Sequence, residues 1–248
     1  MNDQSDRDDR DGQNQPGPAE GRGPAHGRAG AEARGVRLVA VLLGLTVVSG
    51  LIDAVSYLGL GHVFTANMTG NVVVLGFAAA GAPGFSVPHT LTSLVSFLVG
   101  AVAGGRIAVR MGTGSRRTWA RVTLAAEALL VGVSAVVAFA VPHATVTAYT
   151  LIALTALAMG LRNATVRKLG VPDLTTTVLT MTLTGLASDS RAGGGSGHHS
   201  PRRSASVVAM LAGAFLGAWL TLHHGLGIPL LIAAVAAGVF AVTASGHE

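Results

Sequence analysis

The chain has 248 residues, 50% of them hydrophobic and only 12% charged, with a mean hydropathy of +0.54, and a soluble domain carries about 25% charged residues, so this is a membrane composition. It has no cysteine, which excludes disulfides, Cys-ligated metals and thiol nucleophiles. Its formal net charge of +5 sits at the ends of apolar runs, without an aromatic stacking platform, which argues against a nucleic-acid partner.

Residues 1–34 are rich in Asp, Arg, Gly, Pro and Gln. They have no apolar periodicity and cannot bury a core, so a disordered tail is expected. From residue 35 onward the chain reads as a single transmembrane domain. Its apolar runs are 38–60, 63–81, 87–107, 119–141, 145–160, 174–187, 204–222 and 226–243. Spanning a hydrocarbon core of about 30 Å takes roughly 17–25 helical residues. The run 174–187 is short for that, and 63–81 follows a Gly-rich turn and opens with Thr65, Asn67, Thr69 and Asn71. The segment 189–203 holds a Gly-Gly-Gly-Ser-Gly stretch and reads as a flexible loop.

Charge sets the expected topology. The seventeen Lys and Arg fall into three groups: six up to Arg37, five between Arg106 and Arg121, and six between Arg162 and Arg203. If every apolar run crosses, the middle group faces outside, against the positive-inside rule. If 63–81 and 174–187 are broken or re-entrant and return to their own side, six helices cross. All the cations and both termini are then cytoplasmic. The expected fold is therefore all-α: a polytopic helical membrane protein of about six crossing helices plus two short broken or re-entrant ones.

The chain also matches itself. Gly50-Leu51-x-x-Ala54 matches Gly160-Leu161-x-x-Ala164 at an offset of 110, which sets Asp53 opposite Asn163. Thr69 matches Thr180 at 111, and Gly100-x-x-x-Gly104 matches Gly213-x-x-x-Gly217 at 113. The order of features is the same in 37–141 and 145–244. With three crossings per half, the second copy runs upside down: a 3+3 inverted repeat, an architecture typical of transporters.

The stretches Gly-Leu-Ile-Asp-Ala-Val-Ser-Tyr-Leu at 50–58, Val-Phe-Thr-Ala-Asn-Met-Thr-Gly-Asn at 63–71, Ala-Met-Gly-Leu-Arg-Asn-Ala at 158–164 and Pro-Asp-Leu-Thr-Thr-Thr-Val-Leu-Thr at 172–180 resemble the YoaK family of bacterial multi-pass inner-membrane proteins, a family of unknown function. The resemblance covers about residues 38–243 and implies a multi-pass membrane protein without naming a substrate. Where this chain has Arg162, the family pattern carries an amide, so a cation there changes the local electrostatics.

Polar groups at membrane depth are costly and mark candidate sites. Asp53 and Glu127 are the acids inside the spans. Asp53 reads as a proton or cation site, or as a structural hydrogen-bonding group. Glu127, a secondary candidate, lies six residues from Arg121 and is expected to reach toward it. Asn67, Thr69 and Asn71, with Asn163, Thr176, Thr177 and Thr180 in the second half, read as lining for a solute cavity, with the capping of a broken helix as the alternative. The GxxxG pairs allow close helix packing inside one subunit or in a homo-oligomer. No His-Glu-x-x-His or Gly-x-Ser-x-Gly pattern occurs, so neither an enzyme nor a bound metal or cofactor is expected. The expected function is secondary transport of a small polar solute or ion, with proton coupling through Asp53. A channel and a non-transporting scaffold remain as alternatives.

Overall fold

The computed structural model describes residues 25–111, 116–142, 144–169, 179–195 and 200–243. The chain divides at residue 36 into two units, 1–36 and 37–248. In the first, the described residues belong to the opening of a helix that starts at Ala25, inside the stretch expected to be a disordered tail.

The described residues form α1 (Ala25–Gly59), α2 (Met68–Ala79), α3 (Val87–Arg110), α4 (Arg116–Ala140), α5 (Thr145–Leu169), α6 (Leu179–Ser188), α7 (Ser200–His224) and α8 (Gly227–Thr243), with a single 3-10 turn at Arg191–Gly193. The fold is all-helical, as expected. Five helices, α1, α3, α4, α5 and α7, are long and apolar enough to cross a membrane. With 17 residues, α8 lies at the lower limit for crossing.

Several boundaries differ from the sequence reading: besides the early start of α1, α2 opens at Met68, five residues after the expected start of its run at 63. The helix expected to end near residue 160 continues to Leu169, because Arg162 is buried against partners inside the protein and does not mark a membrane edge. Within the expected flexible loop 189–203, the described residues include the 3-10 turn at Arg191–Gly193 and the first residues of α7 from Ser200. Arg203, already in α7, donates from Nη1 to Asp189 Oδ2 at 2.5 Å and to Gly185 O at 2.8 Å, tying the end of α6 to α7.

α2 and α6 have 12 and 10 residues. At 1.5 Å per residue they reach about 18 and 15 Å, roughly half a bilayer core. α2 packs on α3, and α6 on α7. α1 stops where Gly61 and His62 take positive φ (86° and 59°) and turn the chain away. The following non-helical stretch is buried, with Leu60, Val63, Thr65 and Ala66 at 3% exposure or less.

The helices meet through glycines. A methyl group on Gly160 would stand 2.0 Å from Phe97 O and 2.9 Å from Ala101 N, and one on Gly100 would stand 2.1 Å from Leu157 O, so α3 and α5 touch backbone to backbone. α1 and α7 touch in the same way: a methyl on Gly50 would lie 2.4 Å from Met210 O and 2.9 Å from Ala214 N, and one on Gly213 would lie 2.0 Å from Val47 O. Each contact of the first pair becomes one of the second by adding 113 to the α3 residue and subtracting 110 from the α5 residue. The next turn follows suit, Gly104 facing Leu161 O and Gly217 facing Leu51 O. α4 and α8 pack on each other, and their contacts are reciprocal at an offset of 106: Gly132 against Ala234, and Gly238 against Ala128.

The outward faces obey the same numbering. Val95, Leu98, Val102 and Val109 are exposed along α3, and Val208, Leu211, Phe215 and Leu222 along α7, again 113 apart. The main core lies between these layers, where Ile52 and Val55 of α1, Val131 and Ala135 of α4, Leu151, Ile152 and Met159 of α5, and Leu230 and Ala233 of α8 come together.

Candidate functional site

A polar stripe runs down one side of α1. Thr46, Ser49, Asp53 and Ser56 are spaced by three, four and three residues, which places them on one helix face, and all four are buried. Such a stripe is legible in the sequence, where Asp53 is its charged member.

Asp53 holds the break between α1 and α2. Its Oδ1 accepts from the backbone N–H of Thr65 at 3.1 Å and of Ala66 at 2.8 Å. Thr65 Oγ1 donates to Ser56 Oγ at 3.5 Å, and Ser56 Oγ donates to the Asp53 carbonyl at 3.1 Å. A buried non-helical backbone has no helical partners for its N–H and C=O groups and must find others. The carboxylate supplies the acceptors.

Asn71 does the same for Phe64 in both directions. Its Oδ1 accepts from Phe64 N at 2.9 Å, and its Nδ2 donates to Phe64 O at 2.6 Å, so the amide pairs with the peptide as a neighbouring strand would. Asn71 Nδ2 also donates to Ser93 Oγ of α3 at 3.0 Å, and Ser93 Oγ donates to Phe64 O at 2.6 Å. Asn67 is the N-cap of α2, its Oδ1 accepting from Gly70 N at 3.3 Å. Thr69 is exposed on α2. In this arrangement Asn67 and Asn71 therefore satisfy the backbone of the break. Four polar side chains are used because a broken helix leaves several peptide groups unpaired, and one cap serves only one of them.

Among the described residues, the largest fully buried side chain is Arg162 of α5. Its Nε donates to Glu127 Oε2 at 2.7 Å and its Nη2 to Glu127 Oε1, a two-pronged ion pair between α5 and α4. Its Nη1 donates to Ser49 Oγ at 2.8 Å and to Leu45 O at 2.9 Å, both on α1. Glu127, expected to reach for Arg121, is instead 0% exposed and turned inward to Arg162. Burial decides this: a carboxylate inside the bundle is stable only with a charged, hydrogen-bonded partner beside it. One guanidinium thus joins three helices, one turn of α1 away from Asp53.

Of the second-half candidates, Asn163 donates from Nδ2 to Met159 O at 3.0 Å. Thr180 is exposed on α6, where Thr182 is the buried threonine. Thr176 and Thr177 lie outside the described residues. The structure therefore gathers Asp53, Asn67 and Asn71 at the first break and adds Ser49, Ser56, Ser93 and Arg162, which the sequence reading missed as site residues. Glu127 joins them through Arg162.

A protein-family profile described as "Protein of unknown function (DUF1275)" matches residues 41–243, the whole helical domain from within α1 to the end of α8. The chain belongs to this family. This DUF1275 chain is similar to the UPF0700 transmembrane protein YoaK of Bacillus subtilis (strain 168), with 38% identity over 148 residues. That match covers 58% of the chain and 64% of YoaK, so the chain spans a little less than two thirds of that relative. No solved structure matches the chain. Membership agrees with the resemblance read from the motifs and with a membrane protein of several apolar helices.

Proposed function

We propose that this chain is a secondary transporter of a small polar solute, built as an inverted repeat of α1–α4 and α5–α8. The observation that carries the reading is the reciprocity of the glycine contacts. α1 meets α7 as α5 meets α3, residue for residue, at offsets of 110 and 113. Two chain segments related by a pseudo-twofold axis make contacts of this kind, with α4 and α8 facing each other across it. With three crossings per half, the axis lies in the membrane plane and the copies have opposite orientation. In transporters so built, the solute site sits where the paired broken helices meet.

The reading puts the solute at the Asp53 break, the one of the two breaks that lies within the described residues. Opening it frees the carboxylate and the N–H groups of Thr65 and Ala66 for a solute, next to the polar face of α1. Asp53 is the group through which a proton would be exchanged. The test uses the full chain in proteoliposomes under an imposed pH gradient, with a panel of amino acids, sugars, organic acids and polyamines. A solute that dissipates the gradient is expected to lose that effect in Asp53→Asn and to be weakened in Asn67→Ala. Dissipation unchanged in both variants sinks the reading.

A non-transporting scaffold is the second reading. It is favoured by the mutual hydrogen bonding of the polar groups, which leaves Asn71 and Ser93 fully engaged with Phe64. It predicts that no solute in the panel responds while the glycine contacts remain essential for folding.

The inverted arrangement also sets an expected topology. With single cysteines at Ala80 or Gly114 in this cysteine-free chain, a membrane-impermeant thiol reagent applied to intact cells is expected to label position 80 and spare 114. Labelling of 114 alone means that α2 carries the chain across, and the halves are then not inverted copies.

A further inference from the structure

An open groove of about 500 Å³ lies between the ends of α3 and α5, lined by Val102, Gly105, Arg106, Val109, Arg110 and Lys168. Three of these six are cations and none is an acid. Lys168 reaches across from α5, its Nζ donating to Gly105 O of α3 at 3.4 Å. Above the groove, exposed Val95, Leu98, Val99 and Val102 continue up the same face of α3, a stripe at helical spacing. We propose that this groove binds an anionic phospholipid, with its phosphate among Arg106, Arg110 and Lys168 and an acyl chain along the α3 stripe.

Three observations carry this. First, like charges gathered in one groove repel each other, and an anion offsets that repulsion. Orientation in the membrane needs cations on one side of it but does not need them to converge on one cavity. Second, the fold does not require cations there. The α7 residues equivalent to Arg106 and Arg110, 113 positions on, are Trp219 and His223, whose rings stack 5.0 Å apart. Third, the occupant must be amphipathic, since the cations are continuous with an exposed apolar stripe. Basic pockets between membrane helices take anionic headgroups for these reasons. The inference rests on the packing of α3 against α5 and stands whether or not the protein transports a solute.

The test is native mass spectrometry of the full chain in detergent, titrated with dioleoyl phosphatidylglycerol or dioleoyl phosphatidylcholine. Preferential binding of phosphatidylglycerol is expected. Neutralising each cation (Arg106→Gln, Arg110→Gln, Lys168→Gln) is expected to weaken it about fivefold, and the triple variant on the order of a hundredfold, at roughly one surface charge's worth per residue. Arg202→Gln, on an exposed residue outside the groove, is the control and is expected to change nothing. All three groove positions are exposed, so the unfolding midpoint should hold, which separates lost binding from lost fold. Equal binding of the two lipids, or a triple variant that binds phosphatidylglycerol like the unaltered chain, overturns the proposal. So does displacement by inorganic phosphate at concentrations matching the lipid's, because the site would then take a soluble phosphate.

Discussion

Glu127→Gln is expected to cost about 3–5 kcal/mol of folding stability, the usual penalty for leaving a buried charge without its partner. Arg162 is 1% exposed and sits between α1, α4 and α5. With Glu127 neutral, the guanidinium keeps its bonds to Ser49 and Leu45 but loses the counter-charge that makes its burial tolerable. Arg162→Gln leaves Glu127 in the same position and should cost a similar amount. The double variant should be milder than either single one, since two facing amides can hydrogen-bond without any buried charge. Unfolding in mixed detergent micelles, followed by helical circular dichroism across all four proteins of the cycle, measures this coupling. If both single variants unfold within about 1 kcal/mol of the parent, the size of a solvent-exposed pair, the two side chains are not a buried ion pair.

The second large effect concerns the glycine contacts. Gly160→Ala is expected to destabilise by about 1–3 kcal/mol, the range for overpacking a tight interior, because its methyl would stand 2.0 Å from a backbone oxygen of the facing helix. Backbone atoms cannot swing aside as the end of a side chain can, so α3 and α5 must separate. Gly50→Ala, whose methyl meets the α7 backbone at 2.4 Å, is expected to cost about the same, and Gly100→Ala should likewise match Gly213→Ala. Gly76→Ala is the control. Nothing lies within 4 Å of its Cβ position, and alanine is favoured over glycine in a helix by about 1 kcal/mol, so it should be neutral or stabilising. Matched losses within each pair support two equivalent interfaces. A large loss in one member and none in the other shows that the matched offsets do not reflect equivalent packing.

Composition and hydropathy were enough to set the class of molecule. A chain with 12% charged residues and eight apolar runs has to place most of its surface against something other than water, and helices are the structures that satisfy their own backbone while doing so. Local chemistry also determined the two shortened helices and the break beside Asp53. Gly61 permits the turn that ends α1, and capping, the alternative reading of Asn67, is the role it takes at the start of α2. The glycine spacing was legible too, since matching Gly-x-x-x-Gly pairs and a matching Gly50 and Gly160 can be read from the chain alone.

The partner of each polar group, by contrast, is set by packing between distant segments. Nothing along the chain distinguishes Arg121, six residues from Glu127, from Arg162, thirty-five away. Burial chose the second by bringing α4 and α5 together and excluding the water that would have screened the first. Arg162 looked like the end of a span because a cation on an apolar helix is normally there to meet water. Inside this bundle it meets Glu127, Ser49 and the Leu45 carbonyl, and the helix runs on to Leu169. Likewise Asn71 reads the same in sequence whether it lines a cavity or pairs with the Phe64 peptide. Hydrogen bonds are short-ranged and directional, so their partners are fixed only when distant segments have packed.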